Sequence, residues 1–157
     1  MDIALVRVDN RLVHGQILEA WIPSIRATCI VVVDDNVASD FFRETVIRMA
    51  VPSDVEVKIN MIEDFSRHYK DRDDNGKKTI VLFSSIGDVL RAVNLGFKLG
   101  SLNIGNVYNE NCSYQHYKSQ GRCPPFFCRL SCSHHRVGVI PCLLKTKLPR
   151  SASRSAT

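Results

Sequence analysis

Arg7, Asp9, Arg11, His14, Gly15 and Gln16 lie within one short stretch near the start of the chain, Arg7-Val8-Asp9-Asn10-Arg11-Leu12-Val13-His14-Gly15-Gln16. Together these residue types suit a phosphoryl group. A neutral imidazole nitrogen attacks phosphorus well and leaves well afterwards. Guanidinium forks such as those of Arg7 and Arg11 match phosphate oxygens in pairs. Phosphoryl transfer passes through a loose transition state, so positioning and hydrogen-bond donors for the equatorial oxygens carry most of the catalysis. Backbone amides from Val13 to Gln16 would add fixed dipoles where a helix begins. Gly15, lacking Cβ, would let the backbone approach the phosphate or take a positive φ. Asp9 is better suited to orienting the arginines or the imidazole than to acting as a base.

Other groups compete for attention. Ser84 and Ser85 follow the apolar run Ile80-Val81-Leu82-Phe83, and their hydroxyls could serve a phosphoryl group or simply cap the next helix. Asp34-Asp35 follow Ile30-Val31-Val32-Val33, a placement used by magnesium-dependent phosphoacceptors. A histidine flanked by arginines has no evident need of such an ion, so neither metal nor cofactor is expected. No Walker-type loop and no Gly-x-Gly-x-x-Gly fingerprint occurs, leaving nucleotide binding without a motif. Trp21 suits either a partner contact beside the loop or the core.

The elements that must hold these residues alternate. Ile3–Val6 reads as a buried strand, and a helix over about 16–21 stops before Pro23. Cys29–Val33 is a continuous apolar run of the kind a parallel sheet buries on both faces. Ser39 or Asp40 caps a helix to about Ala50 with Phe42, Val46 and Met49 inward. Val55–Ile59 alternates as a strand near an edge. A helix over about 62–69 precedes the charged stretch 70–78, read as a solvated connection. Thr79–Phe83 is a fourth strand, 86–99 a helix striped by Val89, Leu90, Val93 and Phe97 and ended by Gly100, and Leu102–Ile104 a short fifth strand. This grammar predicts an α/β fold: a mostly parallel sheet with helices on both faces and the active-site loop after the first strand. Ligands of such sheets bind beyond the C-terminal strand ends, where His14, Asp34, Ser84 and the loop after Ile104 would meet.

The 157 residues suffice for one such domain with a buried core, and no apolar run approaches a membrane span. The net charge of +5 hides a division. Residues 1–111 hold all 16 acidic and 13 of the 21 basic residues, whereas 112–157 hold 8 basic residues and no acid. Five of the 6 cysteines also lie beyond 111, at Cys112, Cys123, Cys128, Cys132 and Cys142. The reading is therefore of a domain over 1–111 followed by an irregular, basic, cysteine-rich tail over 112–157. A shifted reading frame or another foreign origin would explain the tail, whose end, 150–157, reads as disordered. Its Cys-x4-Cys-x3-Cys-x-His-His spacing, ending at His134 and His135, fits none of the common zinc patterns. Only Val137–Pro141 offers a weak strand there.

The pattern Arg-x-Asp-x-Arg-x-x-His-Gly-Gln followed by Trp21 resembles the IIB component of the bacterial sugar phosphotransferase system, in its mannose/fructose/sorbose branch. The resemblance spans about 1–111 and includes Leu82-Phe83-Ser84 and Asn103-Ile104-Gly105-Asn106. It implies a phosphohistidine carrier: a phosphorylated IIA protein or domain passes its group to His14, by resemblance on Nδ1, and His14 delivers it to a sugar entering through the membrane components IIC and IID. The enzyme implied is a protein-Nπ-phosphohistidine–sugar phosphotransferase. Arg7, Arg11, Gly15, Gln16 and Ser84 would bind the phosphate, with Asp9 orienting. The implied place is the cytoplasm, at the inner membrane face through the permease partners, with no nucleic acid partner. The resembled domains continue with a further helix and strands not found here, so an uncovered sheet edge and self-association are expected. Two readings remain beside this one: a zinc-binding or basic interaction protein driven by the tail, and an inactive truncated IIB-like domain.

Overall fold

The computed structural model describes residues 1–70 and 76–107 in full, together with the backbone of three strands in 112–117, 126–132 and 135–143. Its sheet begins with β1 (Asp2–Val8), β2 (Cys29–Val33), β3 (Glu56–Asn60), β4 (Lys78–Phe83) and β5 (Leu102–Ile104). It continues with β6 (Cys112–Tyr117), β7 (Phe126–Cys132) and β8 (His135–Leu143), in the order β3-β2-β4-β1-β5-β8-β7-β6. From β3 to β8 every pairing is parallel. β7 then runs antiparallel to both β8 and β6. Among the described residues the strand-helix alternation stops at β5, and three strands follow it.

β8 contains the Val137–Pro141 segment and pairs with β5 through Leu102–Cys142 and Asn103–Leu143. β8 thus covers the edge of β5, and the outer strands of the sheet are β3 and β6. The cysteine–histidine cluster at 123–135 as a set of ligands, the charged stretch 71–75 and the terminal 144–157 lie outside the described residues.

Period-two alternation splits the core across the sheet. On one face Val31 and Val33 of β2, with Val81 and Phe83 of β4, meet α4 (Ile62–His68) and α5 (Ile86–Asn94) through Ile62, Phe65, Val89 and Leu90. On the other, Ile30, Val32, Ile80 and Leu82 meet Ile17, Trp21, Ile22 and Val37. Phe65 anchors an aromatic group with Tyr69, Phe83 and Phe97, with ring centroids 5.0 Å from Phe97 and 6.1 Å from Phe83. Helices therefore cover both faces, as the apolar strands require.

Several local expectations are corrected. The first helix does not stop before Pro23: a π-helical turn, Ile17–Trp21, runs into α1 (Ile22–Ile25) with Pro23 in its first turn. Proline has no amide hydrogen to place, and it follows directly after the Ile22 amide has closed the π-helical turn onto the Ile17 carbonyl. Asp34 does not merely close β2 but caps a short α2 (Asp35–Ala38), its carboxylate accepting from the Val37 amide at 2.9 Å. α3 (Phe41–Ala50) is capped by Asp40 as expected, yet its Phe42, Val46 and Met49 face outward, at 75%, 49% and 81% exposure. The helix lies beside the edge strand β3, where Arg48 donates to the Val57 carbonyl at 2.8 Å, and Ile47 turns toward the core. α5 ends at Asn94 rather than near residue 99, with Gly96 at φ 104° supplying the turn that had been assigned to Gly100. Phe97 then packs from beyond the helix. No helix among the described residues is long and apolar enough to cross a membrane.

Candidate functional site

Strand β1 runs further than its apolar run suggests, to Val8, so Arg7 is a strand residue set between Leu82 of β4 and Asn103 of β5. Its side chain is buried, with Trp21 beneath: the guanidinium carbon lies 5.6 Å from the indole centroid, a cation–π contact. Trp21 therefore belongs to the core. One Arg7 nitrogen, Nη1, donates to the Asn103 side-chain oxygen, and Nη2 donates to Asp9 Oδ2 at 2.8 Å.

Asp9 is the hub. It is fully buried and also accepts from the Arg11 amide and Nε, both at 3.2 Å. Burial pushes its carboxyl up, but the side chain and amide of Arg11, the Arg7 guanidinium and the Asn106 amide together hold it below the usual aspartate range. The ionised carboxylate thus neutralises Arg7, which is 5% exposed, and restrains Arg11, whose side chain is half exposed at 49%.

The turn after Asp9 is tight. Leu12 donates its amide to the Asp9 carbonyl at 2.9 Å and adopts φ 52°, a left-handed conformation costly for a branched residue. Its carbonyl then faces His14 Nδ1 at 2.9 Å. A carbonyl only accepts, so Nδ1 carries the hydrogen in this arrangement. His14 Nε2 is buried, lies 3.8 Å from Asp9 Oδ2 and has no hydrogen-bond partner. Gly15 and Gln16 are exposed and open the π-helical turn; a Cβ on Gly15 would meet nothing within 4 Å. Gly15 does not use a positive φ, so open space for an approaching group is what it provides.

Ser84 sits at the end of β4, but its hydroxyl donates to Asp88 at 3.0 Å, and Ser85 caps α5 by accepting from the Asp88 amide at 3.1 Å. The structure thus gathers Arg7, Asp9, Arg11 and His14 and ties Ser84 to a helix start. The acidic alternative is taken up structurally. Asp34 is the α2 cap, and Asp35 accepts from the Ile62 amide at 2.8 Å and pairs with Arg91 at 2.5 Å. No group of three metal-ligating side chains occurs among the described residues.

Two contributors had no role assigned from sequence, Asn103 and Gly105, both from β5 and its exit. The available signal was a polar residue inside the short apolar strand Leu102-Asn103-Ile104, followed at once by a glycine.

Residues 3–119 match the family model described as PTS system sorbose subfamily IIB component. The chain belongs to this phosphotransferase-system IIB family. It is 32% identical over 119 residues to the fructose-specific EIIB component of Bacillus subtilis, covering 76% of this chain and 73% of that one. It is 34% identical over 107 residues to the mannose-specific EIIAB component of Escherichia coli K12, covering 68% of this chain and 33% of that longer one. Among solved structures, the IIB domain of the sorbose permease from Klebsiella pneumoniae superposes with a TM-score of 0.63 at 31% identity, covering 72% of this chain and 70% of that chain. The N-acetylgalactosamine-specific IIB component 1 of Escherichia coli gives 0.63 at 28% identity, covering 76% and 78%.

Membership in this IIB family supports phosphotransferase-system activity at this coarser level and corrects the finer mechanism. The expected phosphohistidine carrier, and with it the Nπ-phosphohistidine–sugar phosphotransferase, does not stand. The matched descriptions carry IIB membership without that linkage. In the structure Nδ1 is hydrogen-bonded to the Leu12 carbonyl, and Nε2 is buried 3.8 Å from Asp9 Oδ2. A thiol linkage has one place among the residues whose side chains are described, Cys29, fully buried in mid-sheet.

Proposed function

We propose that the chain acts as the IIB component of a sugar phosphotransferase system, handling a phosphoryl group in the loop between β1 and the π-helical turn. The observation that carries this reading is the Arg7–Asp9–Arg11–His14 cluster at the C-terminal end of β1, in a chain whose family match spans that loop. Arg11, half exposed and pinned at one end by Asp9, presents donors to an arriving anion, and buried Arg7 supplies positive charge from beneath. His14 is the catalytic side chain we place beside the reacting group. Exposed Gly15 and Gln16 form the open wall of the site, and Asp9 orients the cations. Ser84 joins the site only by turning from Asp88.

The unit that does this is residues 1–111, with 112–157 as an appended segment. Partners of this reading are a phosphorylated IIA protein or domain as donor and permease components IIC and IID as the route to a sugar, at the cytoplasmic face of the membrane. The printed names of the relatives, which specify fructose, mannose, sorbose and N-acetylgalactosamine, favour a hexose or a related amino sugar.

The test is labelled phosphoryl transfer from a phosphorylated IIA protein of this branch to the intact chain and to Arg11→Ala. The wild type takes the label, and the variant takes it about a hundredfold more slowly, the usual cost of one lost transition-state donor. Stability of the label to acid and to base then types the linkage. A folded wild-type chain that takes no label refutes the proposal.

A further inference from the structure

The geometry points to Asn103 and Gly105, at the end of β5, as positioning residues that set the charge geometry of the β1 site; the inference rests on the reading of that site as an anion site. β5 is short, and its pairing with β1 covers only Arg7 with Asn103 and Val8 with Ile104. That register puts the Asn103 side chain, 1% exposed, where Arg7 Nη1 donates to its oxygen. Arg7 is thus held at two ends, by Asn103 on β5 and by Asp9 beyond β1.

Gly105 closes the same arrangement from the side. A Cβ there would lie 2.3 Å from Arg7 Nη2, 2.4 Å from Asp9 Oδ2 and 2.6 Å from Arg7 Cζ. Those atoms are the ion pair itself, so even a methyl group has to move it. Backbone bonds remove the freedom to yield: the Gly105 amide donates to the Val8 carbonyl at 2.8 Å, and the Asn10 amide donates to the Asn106 carbonyl at 2.8 Å. The turn after β5 is stitched to the turn after β1 on both sides of the pair. Glycine at 105 is required by this close approach and not by its backbone angles, since its φ is not positive.

A sequence-distant strand is thereby responsible for where the Arg7 and Arg11 charges point. A displaced Asp9 releases Arg11, the exposed donor, while leaving the folded sheet in place.

The experiment uses the full chain as wild type, Gly105→Ala, Asn103→Leu and Asn103→Asp. Two quantities are read: the arginine side-chain N–H resonances of Arg7 and Arg11, assigned by Arg→Lys variants, and the affinity for inorganic phosphate as probe. Thermal unfolding reports the fold separately. In Gly105→Ala and Asn103→Leu the Arg7 resonance moves toward that of a free guanidinium and phosphate binding weakens about tenfold or more, as expected when charged donors are misplaced. Asn103→Asp keeps an acceptor at the same place and restores the Arg7 resonance.

A merely structural role would lower the unfolding temperature without moving the Arg7 resonance in the folded state, and that result overturns the inference. So does an Arg7 resonance shifted equally by Asn103→Leu and Asn103→Asp. If Gly105→Ala fails to fold, the two Asn103 variants decide by the same criterion. Wild-type protein that binds no phosphate while the Arg7 resonance follows the predicted pattern sinks the anion-site reading and leaves the positioning role standing.

Discussion

Asp9→Asn removes the negative charge on which buried Arg7 depends, and its cost can be worked from the contacts. Arg7 is 5% exposed and Asp9 is fully buried, with 2.8 Å between Nη2 and Oδ2. Breaking a buried pair by removing one partner costs about 3–5 kcal/mol, because the remaining charge is left without water or counter-charge. At about 2–4 °C per kcal/mol for a chain of this size, the unfolding temperature falls by roughly 10 °C. Arg7→Met costs less, since Asp9 keeps the Arg11 amide and Nε as donors. The double variant Arg7→Met/Asp9→Asn recovers part of the Asp9→Asn loss, a coupling that a double-mutant cycle reads directly. Urea or thermal unfolding followed by circular dichroism provides the assay. Equal costs for the two single variants, or strict additivity in the double, would refute the reasoning, for either means that Arg7 does not rely on Asp9.

The same contact sets a pH dependence. The folded Asp9 carboxyl lies below its unfolded value, so its stabilisation is fully present above the unfolded value of about 3.9 and disappears as pH falls through the folded one. Wild type therefore loses stability more steeply than Asp9→Asn below about pH 4, measured by unfolding midpoints from pH 6 downward. Phe65→Ala, which empties the centre of the aromatic group it forms with Tyr69, Phe83 and Phe97, costs about 3–5 kcal/mol in urea unfolding. Asp40→Ala takes the cap from the Phe42 and Arg43 amides at the start of α3 and costs about 1 kcal/mol by the same measurement. Phe41→Ser with Met49→Ser, at positions 84% and 81% exposed, leaves stability within about 0.5 kcal/mol and lowers any self-association seen by sedimentation velocity.

The sheet was legible because its central strands carry unbroken apolar runs. Cys29–Val33 and Ile80–Phe83 are buried on both sides, which few other folds demand of so short a segment. The inward face of α3 was not legible: Phe42, Val46 and Met49 have helical spacing, but the helix lies beside edge strand β3, where little core remains to meet them. Arg7, Asp9, Arg11 and His14 could be picked out by type and spacing, because chemistry dense in one loop is visible in one dimension. What the spacing could not show was the orientation of the ring, fixed by the Leu12 carbonyl in a left-handed turn. Nor could it show the part of the site built by Asn103 and Gly105, brought beside Arg7 only by the pairing of β5 with β1.

Whether the loop carrying His14 is where phosphoryl transfer happens is tested most directly by measuring transfer from a phosphorylated IIA protein through the chain, with His14→Ala and Cys29→Ala side by side. Cys29→Ala passes the group at the wild-type rate and His14→Ala does not, both remaining folded. Transfer that survives in His14→Ala and is lost in Cys29→Ala would contradict the placement of the site.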